Sequence, residues 1–201
     1  MAWIETIKYA SADPHLKKLY DRVKGPGNNI DNILMVHGLR PHSLTGHMAL
    51  YKNVLHNSNN TLPKWYLESI GVYVSHLNNC SYCIEHHFSG LKKLFNDDTK
   101  SNDFWDGVKN DSLEAYFDAT YFAGINYAKK LTLQPSSIQE SDIDNLKTLG
   151  FTDGEILEIN QVTSYFNYAN RTVVGLGVNT GGDILGLSPN ESADPDNWKH
   201  K

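Results

Sequence analysis

The chain has 201 residues and a mass of 22.6 kDa, with 40% hydrophobic and 20% charged residues, the balance of a globular protein that can bury a proper core. A net charge of −5 and a pI near 6.0 give no electrostatic ground for nucleic acid or an anionic membrane as partner. No stretch approaches the roughly 18 apolar residues of a membrane span, and Glu5 and Lys8 interrupt the run that a signal peptide needs, so a cytoplasmic protein is expected.

Helix signals dominate and strand alternation is nearly absent, so the expected fold class is all-α. Asp13-Pro14 reads as an N-cap with a first-turn proline, opening a short helix that Gly25-Pro26-Gly27 stops. A second helix is expected over 30–39, halting before Pro41, and a third over 43–56 with Met48, Leu50, Tyr51, Val54 and Leu55 on its apolar side. Pro63 starts a fourth, carrying Leu67, Ile70, Tyr73, Val74 and Leu77 at helical spacing. Its opposite stripe is Glu68, Gly71 and Ser75, with a gap where Gly71 lacks a side chain. Asn78-Asn79 breaks that helix and Cys80 begins the next, which ends near Phe95. The polar stretch 96–111 reads as a loop anchored by Phe104 and Trp105. A long aromatic-rich helix is expected over 113–131, closed by Pro135. Two capping boxes follow: Ser137-x-x-Glu140 opens a helix ended by Gly150, and Thr152-x-x-Glu155 opens one of about 22 residues. Residues 1–187 read as one domain and 188–201, SPNESADPDNWKHK, as a tail that is either disordered or draped on a neighbour.

The two cysteines of the chain, Cys80 and Cys83, stand three apart. On a helix they share a face with His87, and Cys83 and His87 are i,i+4 neighbours. The thiolate is the attacking form of a cysteine, and an imidazole one turn away can take or return its proton. Orphan N–H groups at a helix start also favour a thiolate at Cys80. Lowering a thiol from about 8.5 to about 6.5 raises its ionised share at pH 7 about 25-fold. Glu68 and Ser75, two turns apart on the preceding helix, can close the site from the other side, the carboxylate orienting His87 or passing protons.

Other readings compete. Cys80, Cys83 and His87 are three potential zinc ligands, with His76, His86 or a distant histidine as fourth, though no matching second pair exists. A thioredoxin-like reading needs a βαβ context that is absent. His37, His42, His47 and His56 read as surface or satisfied core histidines, and Trp65, Tyr66, Tyr116, Phe117, Tyr121 and Phe122 as core or subunit interface. The excess of Tyr116, Phe117, Tyr121, Phe122, Tyr127, Phe166 and Tyr168 around two long helices points to burial on several sides, part of it in a homo-oligomer.

Glu68-x6-Ser75-x4-Cys80-x2-Cys83-x3-His87 resembles the alkylhydroperoxidase D-like branch of the carboxymuconolactone decarboxylase family, whose five motif positions match without a gap. NCSYCIEHH and QVTSYFNYANRTVVGLGV are similar to its peroxidase-related members. The resemblance implies an alkylhydroperoxidase D-like helical bundle that forms homo-oligomers and works as a peroxidase without metal or organic cofactor. It implies Cys83 as the thiolate that attacks an organic hydroperoxide or hydrogen peroxide. Cys80 would supply a proton and then resolve the sulfenic acid as a disulfide, Glu68 and His87 would relay protons, and Ser75 would support them by hydrogen bonding. A thiol or dithiol reductant would restore the pair. The known peroxidase members carry histidine just before the second cysteine, where this chain has Tyr82, so the proton path is expected to run through His86 or His76. The alternatives are lactone decarboxylation on the same fold and a zinc-stabilised binding module.

Overall fold

The computed structural model describes residues 2–201 and is helical throughout. In chain order the helices are α1 (Pro14–Val23), α2 (Asn32–His37), α3 (Pro41–Leu55), α4 (Lys64–Leu77), α5 (Ser81–Phe95), α6 (Asp98–Asn110), α7 (Ala119–Leu133), α8 (Glu140–Thr148) and α9 (Asp153–Leu176). Helix α4 is the centre, buried without a break from Tyr66 to Ser75 and packed against α5, α7 and α9. The gap at Gly71 is what admits α9: a Cβ there would overlap the Phe166 ring, which is fully buried. Asn79, in the left-handed region at φ 54°, turns the chain between α4 and α5, and the Cys80 N–H closes the turn on the Ser75 carbonyl at 2.9 Å. Cys80 is thereby the N-cap of α5.

Several expected elements differ. Stretch 96–111 is mostly helix α6, not a loop. Asp97 caps it by accepting from the Lys100 N–H at 3.0 Å, and Ser101, Phe104 and Val108, at helical spacing, face the core. A polar majority hid a narrow buried stripe. The expected helix over 113–131 is broken: a short 3-10 turn, Leu113–Ala115, precedes α7, which starts only where Asp118 accepts from the Tyr121 N–H. Helix α3 begins at Pro41 rather than 43, because a proline fits the first helical position, where its missing N–H is no loss. Helix α8 is capped by Gln139 and Asp142, not by Ser137 and Glu140, since Ser137 belongs to the preceding turn. Thr152 and Glu155 do form the box that opens α9.

The largest correction is the tail. Residues 188–201 fold back on their own chain. Trp198 and His200 are buried, Arg22 stacks 3.6 Å over the Trp198 ring, and Pro189 bridges to His200. The anchor is Lys52 of α3, fully buried, whose ammonium donates to the carbonyls of His56, Asn190 and Ser192. A buried ammonium is tolerated only with such partners, and three backbone carbonyls supply them. The aromatic excess is also mostly internal: Phe117, Tyr127 and Phe166 are buried, whereas Tyr168 is 41% exposed.

Candidate active site

Helices α3, α4, α5 and α9, with the segment 186–201 as roof, enclose a cavity of about 350 Å³. Of the five motif residues, Glu68, Cys83 and His87 line it, while Cys80 and Ser75 stand behind the wall. Glu68 is 3% exposed, and its Oε2 accepts from His87 Nδ1 at 2.8 Å. The Phe166 ring meets the His87 ring edge to face at 4.6 Å, fixing the imidazole from its other side. Ser75 donates to the Gly71 carbonyl at 2.7 Å and accepts from Asn170 Nδ2 at 2.9 Å. Asn170, on α9, also hydrogen-bonds to the Cys83 sulfur. Ser75 thus acts on the cysteine through Asn170.

Both thiols are free and buried. The hydrogen bond to Cys83 pulls the Cys80 thiol down, outweighing the effect of its burial. Burial, reinforced by the interaction with Cys80, pushes the Cys83 thiol well up. Cys80 is therefore the more readily ionised of the pair, helped by the α5 N-terminus, while the sulfur open to the cavity is Cys83.

Tyr82, in place of the histidine expected before the second cysteine, donates to Asp183 Oδ2 at 2.8 Å and accepts from the Ile33 N–H at 3.2 Å. His86 Nε2 reaches the same Asp183 oxygen at 3.2 Å, and Asp183 also caps α2 through the Asn32 N–H. Asp31, His86 and Asp183 place their donor atoms within 4.8 Å of one another, the one convergent metal-type set among the described residues, and neither cysteine belongs to it. The set ties the loop before the roof to α2 and α5. His76 lies elsewhere, against Trp105 at 6.0 Å.

The residues that sequence reasoning missed are the rest of the wall. His47 and His56 are buried rather than surface groups, and burial holds His47 down at about 3 and His56 well below its usual value. His47 Nδ1 and both ring nitrogens of His56 have no hydrogen-bond partner among the described residues, with His56 Nε2 only 3.9 Å from Glu68 Oε1. Tyr51 stacks on Tyr165 at 5.2 Å and meets His56 edge-on at 4.6 Å. Only the position of Tyr51 on the apolar side of its helix hinted at this.

No known family model matches the sequence, and no curated protein matches it. Solved structures do. An uncharacterised peroxidase-related protein from Ralstonia eutropha, described as an alkylhydroperoxidase AhpD core, is 21% identical with a TM-score of 0.77, covering 92% of this chain and 96% of its own. A peroxidase-related protein from Silicibacter sp. is 23% identical with a TM-score of 0.74, covering 92% and 95%. A debrominase is 14% identical with a TM-score of 0.69, covering 87% of this chain and 89% of its own. The chain therefore has the alkylhydroperoxidase D-like fold that its motif led one to expect.

Proposed function

We propose that the protein is a thiol-dependent hydroperoxide reductase in which Cys80 and Cys83 cycle between dithiol and disulfide. The observation that carries this reading is the place of Cys83 in the cavity wall with the Glu68–His87 pair, and of Cys80 hydrogen-bonded behind it. Cys80, the more acidic sulfur, first gives its proton to the Glu68–His87 pair, and its thiolate then takes the proton of Cys83 as Cys83 attacks the terminal oxygen of the hydroperoxide. The O–O bond breaks, Cys83 becomes a sulfenic acid, and the departing alkoxide takes a proton from His87, which Glu68 recharges. The Cys80 sulfur next attacks that of Cys83. The S–S bond forms and hydroxide leaves with the Cys80 proton as water. One hydroperoxide and two thiols thus give an alcohol, water and a disulfide. An external thiol or dithiol restores the pair, which suits a reducing compartment such as the cytoplasm.

A second reading uses the same dithiol to remove halide from an aromatic ring. The aromatic wall of the cavity favours it, and the debrominase neighbour was also solved with 2,3,4-tribromopyrrole. Mass spectrometry with alkylation before and after mild peroxide tests the first reading: both thiols should be alkylatable before and joined after, and Cys83→Ser should abolish turnover. Two cysteines still alkylatable after peroxide, with bromide released from a bromopyrrole, would favour the second.

A further inference from the structure

The cavity is much larger than the smallest peroxide requires. Its volume of about 350 Å³ corresponds to roughly twelve waters at about 30 Å³ each, whereas hydrogen peroxide has two heavy atoms. That is the size of a site for a small organic ligand. The wall carries a buried hydrogen-bonding group that the fold leaves unused. His47 Nδ1 is buried and unpartnered among the described residues, and the buried Tyr51 and Tyr165 side chains stand beside it. All three residues line the cavity. Their rings form one set: Tyr51 stacks on Tyr165 at 5.2 Å, and His47 lies 6.2 and 5.8 Å from the two. Tyr51 in turn meets the His87 ring edge-on at 6.0 Å, so the set adjoins the proposed proton relay. Native folds rarely leave buried polar groups without a partner unless a ligand or water fills the place.

Charge narrows the class. Burial keeps His47 neutral and pushes both phenols up, so the recognition groups carry no charge. Two carboxyl groups, Glu68 and Asp31, stand in the same wall. Of the three lysines of the wall, Lys64 pairs with Glu191 at 2.6 Å and Lys93 donates to the Gly186 carbonyl at 2.9 Å, while Lys201 stands exposed at the roof, away from the Tyr51–Tyr165 stack.

Resting on the hydroperoxide reductase reading, we propose that His47, Tyr51 and Tyr165 form a recognition site for the organic part of the substrate, which is uncharged and ring-bearing with a hydrogen-bonding oxygen. The ring lies against the Tyr51–Tyr165 stack, offset or edge-on, as aromatic pairs prefer. The oxygen takes up the unused His47 Nδ1. Anionic fatty-acid hydroperoxides and hydrogen peroxide itself are then poor substrates, the first for charge and the second for size.

Two arms test this on the whole protein. The first measures binding without turnover, by calorimetry, using 2-phenylpropan-2-ol (the alcohol left when cumene hydroperoxide is reduced), tert-butanol and benzoate. The aryl alcohol should bind at least tenfold tighter than either. His47→Leu and Tyr165→Phe should each weaken it about three- to tenfold, the scale of one neutral hydrogen bond. His47→Leu should keep its melting temperature, because an apolar group of similar size can replace an unpartnered buried imidazole without cost; Tyr165→Phe carries the test if it does not. The second arm compares kcat/KM for cumene hydroperoxide, hydrogen peroxide and linoleate hydroperoxide, with cumene hydroperoxide expected first and the two substitutions acting on KM more than on kcat. Tight aryl alcohol binding with no turnover of any hydroperoxide sinks the reductase reading and keeps the recognition site. Turnover led by hydrogen peroxide or the fatty-acid hydroperoxide, or equal binding of benzoate, overturns the recognition site and keeps the reductase reading. Failure of every probe to bind means that the cavity holds only water, which also overturns it.

Discussion

Cys80 and Cys83 show how two identical side chains acquire different acidities. Cys80 sits at a helix N-terminus with its thiol pulled down by the hydrogen bond to Cys83, while burial pushes Cys83 up in the cavity wall. Cys80→Ser should therefore slow the first sulfenic acid step as well as block disulfide formation, since Cys83 loses the group that takes its proton. Rapid-quench trapping of sulfenic acid on Cys83 checks this; an unchanged first step would mean that His87 is the base. His87→Ala or Glu68→Gln should slow peroxide reduction by about 10²-fold or more, the usual scale for lost acid–base help, while circular dichroism stays native. Either variant within about threefold of wild type would place the proton path elsewhere, with His86 the next candidate. The motif residues were legible in the sequence because their spacing alone puts them on facing helix turns. His47, His56, Tyr165 and Asn170 were not. Their role depends on α3 and α9 crossing α4, and no local period encodes that crossing.

At the scale of elements, the cavity is completed by a segment that reads from sequence as a loose end. Its composition, rich in Asp, Asn, Pro and Ser, is that of solvated chain, and the residue that holds it lies 138 positions away in α3. Lys52→Met should release the segment, because the carbonyls of Asn190 and Ser192 lose a shared donor. Amide exchange over 188–201 is expected to rise, and Cys83 should react with a bulky maleimide about tenfold faster. Unchanged exchange would show that the Trp198–Arg22 contact suffices. Gly71 matters in a similar indirect way. Gly71→Ala forces the Phe166 ring aside, and this ring lines the cavity and fixes His87, so activity should fall more than tenfold even where the variant remains folded. The sequence marked the gap in the α4 stripe but carried no sign of what fills it. Helix α6 escaped sequence reading for the opposite reason: four buried residues among thirteen, two of them Ser101 and Gly107, are enough to seat a helix and too few to announce one.

The whole molecule carries an acid sensitivity of defined sign. Burial holds His47 at about 3 and His200 at about 4, so the fold keeps them neutral where the unfolded chain takes up protons. Their contribution is complete above about 6.5 and is lost as the pH falls toward those values. Asp31 works against them. Its carboxyl, raised by burial to about 6, holds a proton in the fold, so its contribution is complete below about 4 and fades as the pH rises through 6. Two histidines outweigh one carboxyl, each proton being worth about 1.4 kcal/mol per pH unit. Calorimetry should show Tm falling from pH 7 to pH 5, and falling more steeply in Asp31→Asn; a rise toward pH 5 would show that the histidines are protonated in the fold. The all-α class was legible because caps and 3–4 spacing recur along most of the chain. Assembly was less so: much of the apolar surface that argued for an oligomer is buried within the protomer. Tyr168, Leu157 and Val174 on α9 remain exposed and available to a second copy. Light scattering behind a sizing column should give a mass above 22.6 kDa at micromolar concentration; a single species at that mass would refute the oligomer.

The roof of the cavity also sets an order of events during synthesis. Cys83 leaves the ribosome about a hundred residues before the segment that roofs its cavity, and contacts of such long sequence separation form late in folding. Until that segment docks, Cys83 of a growing chain stands open to any oxidant, with no partner selection. Under the proposed function, a reducing environment during synthesis then keeps the pair in the dithiol state from which turnover starts.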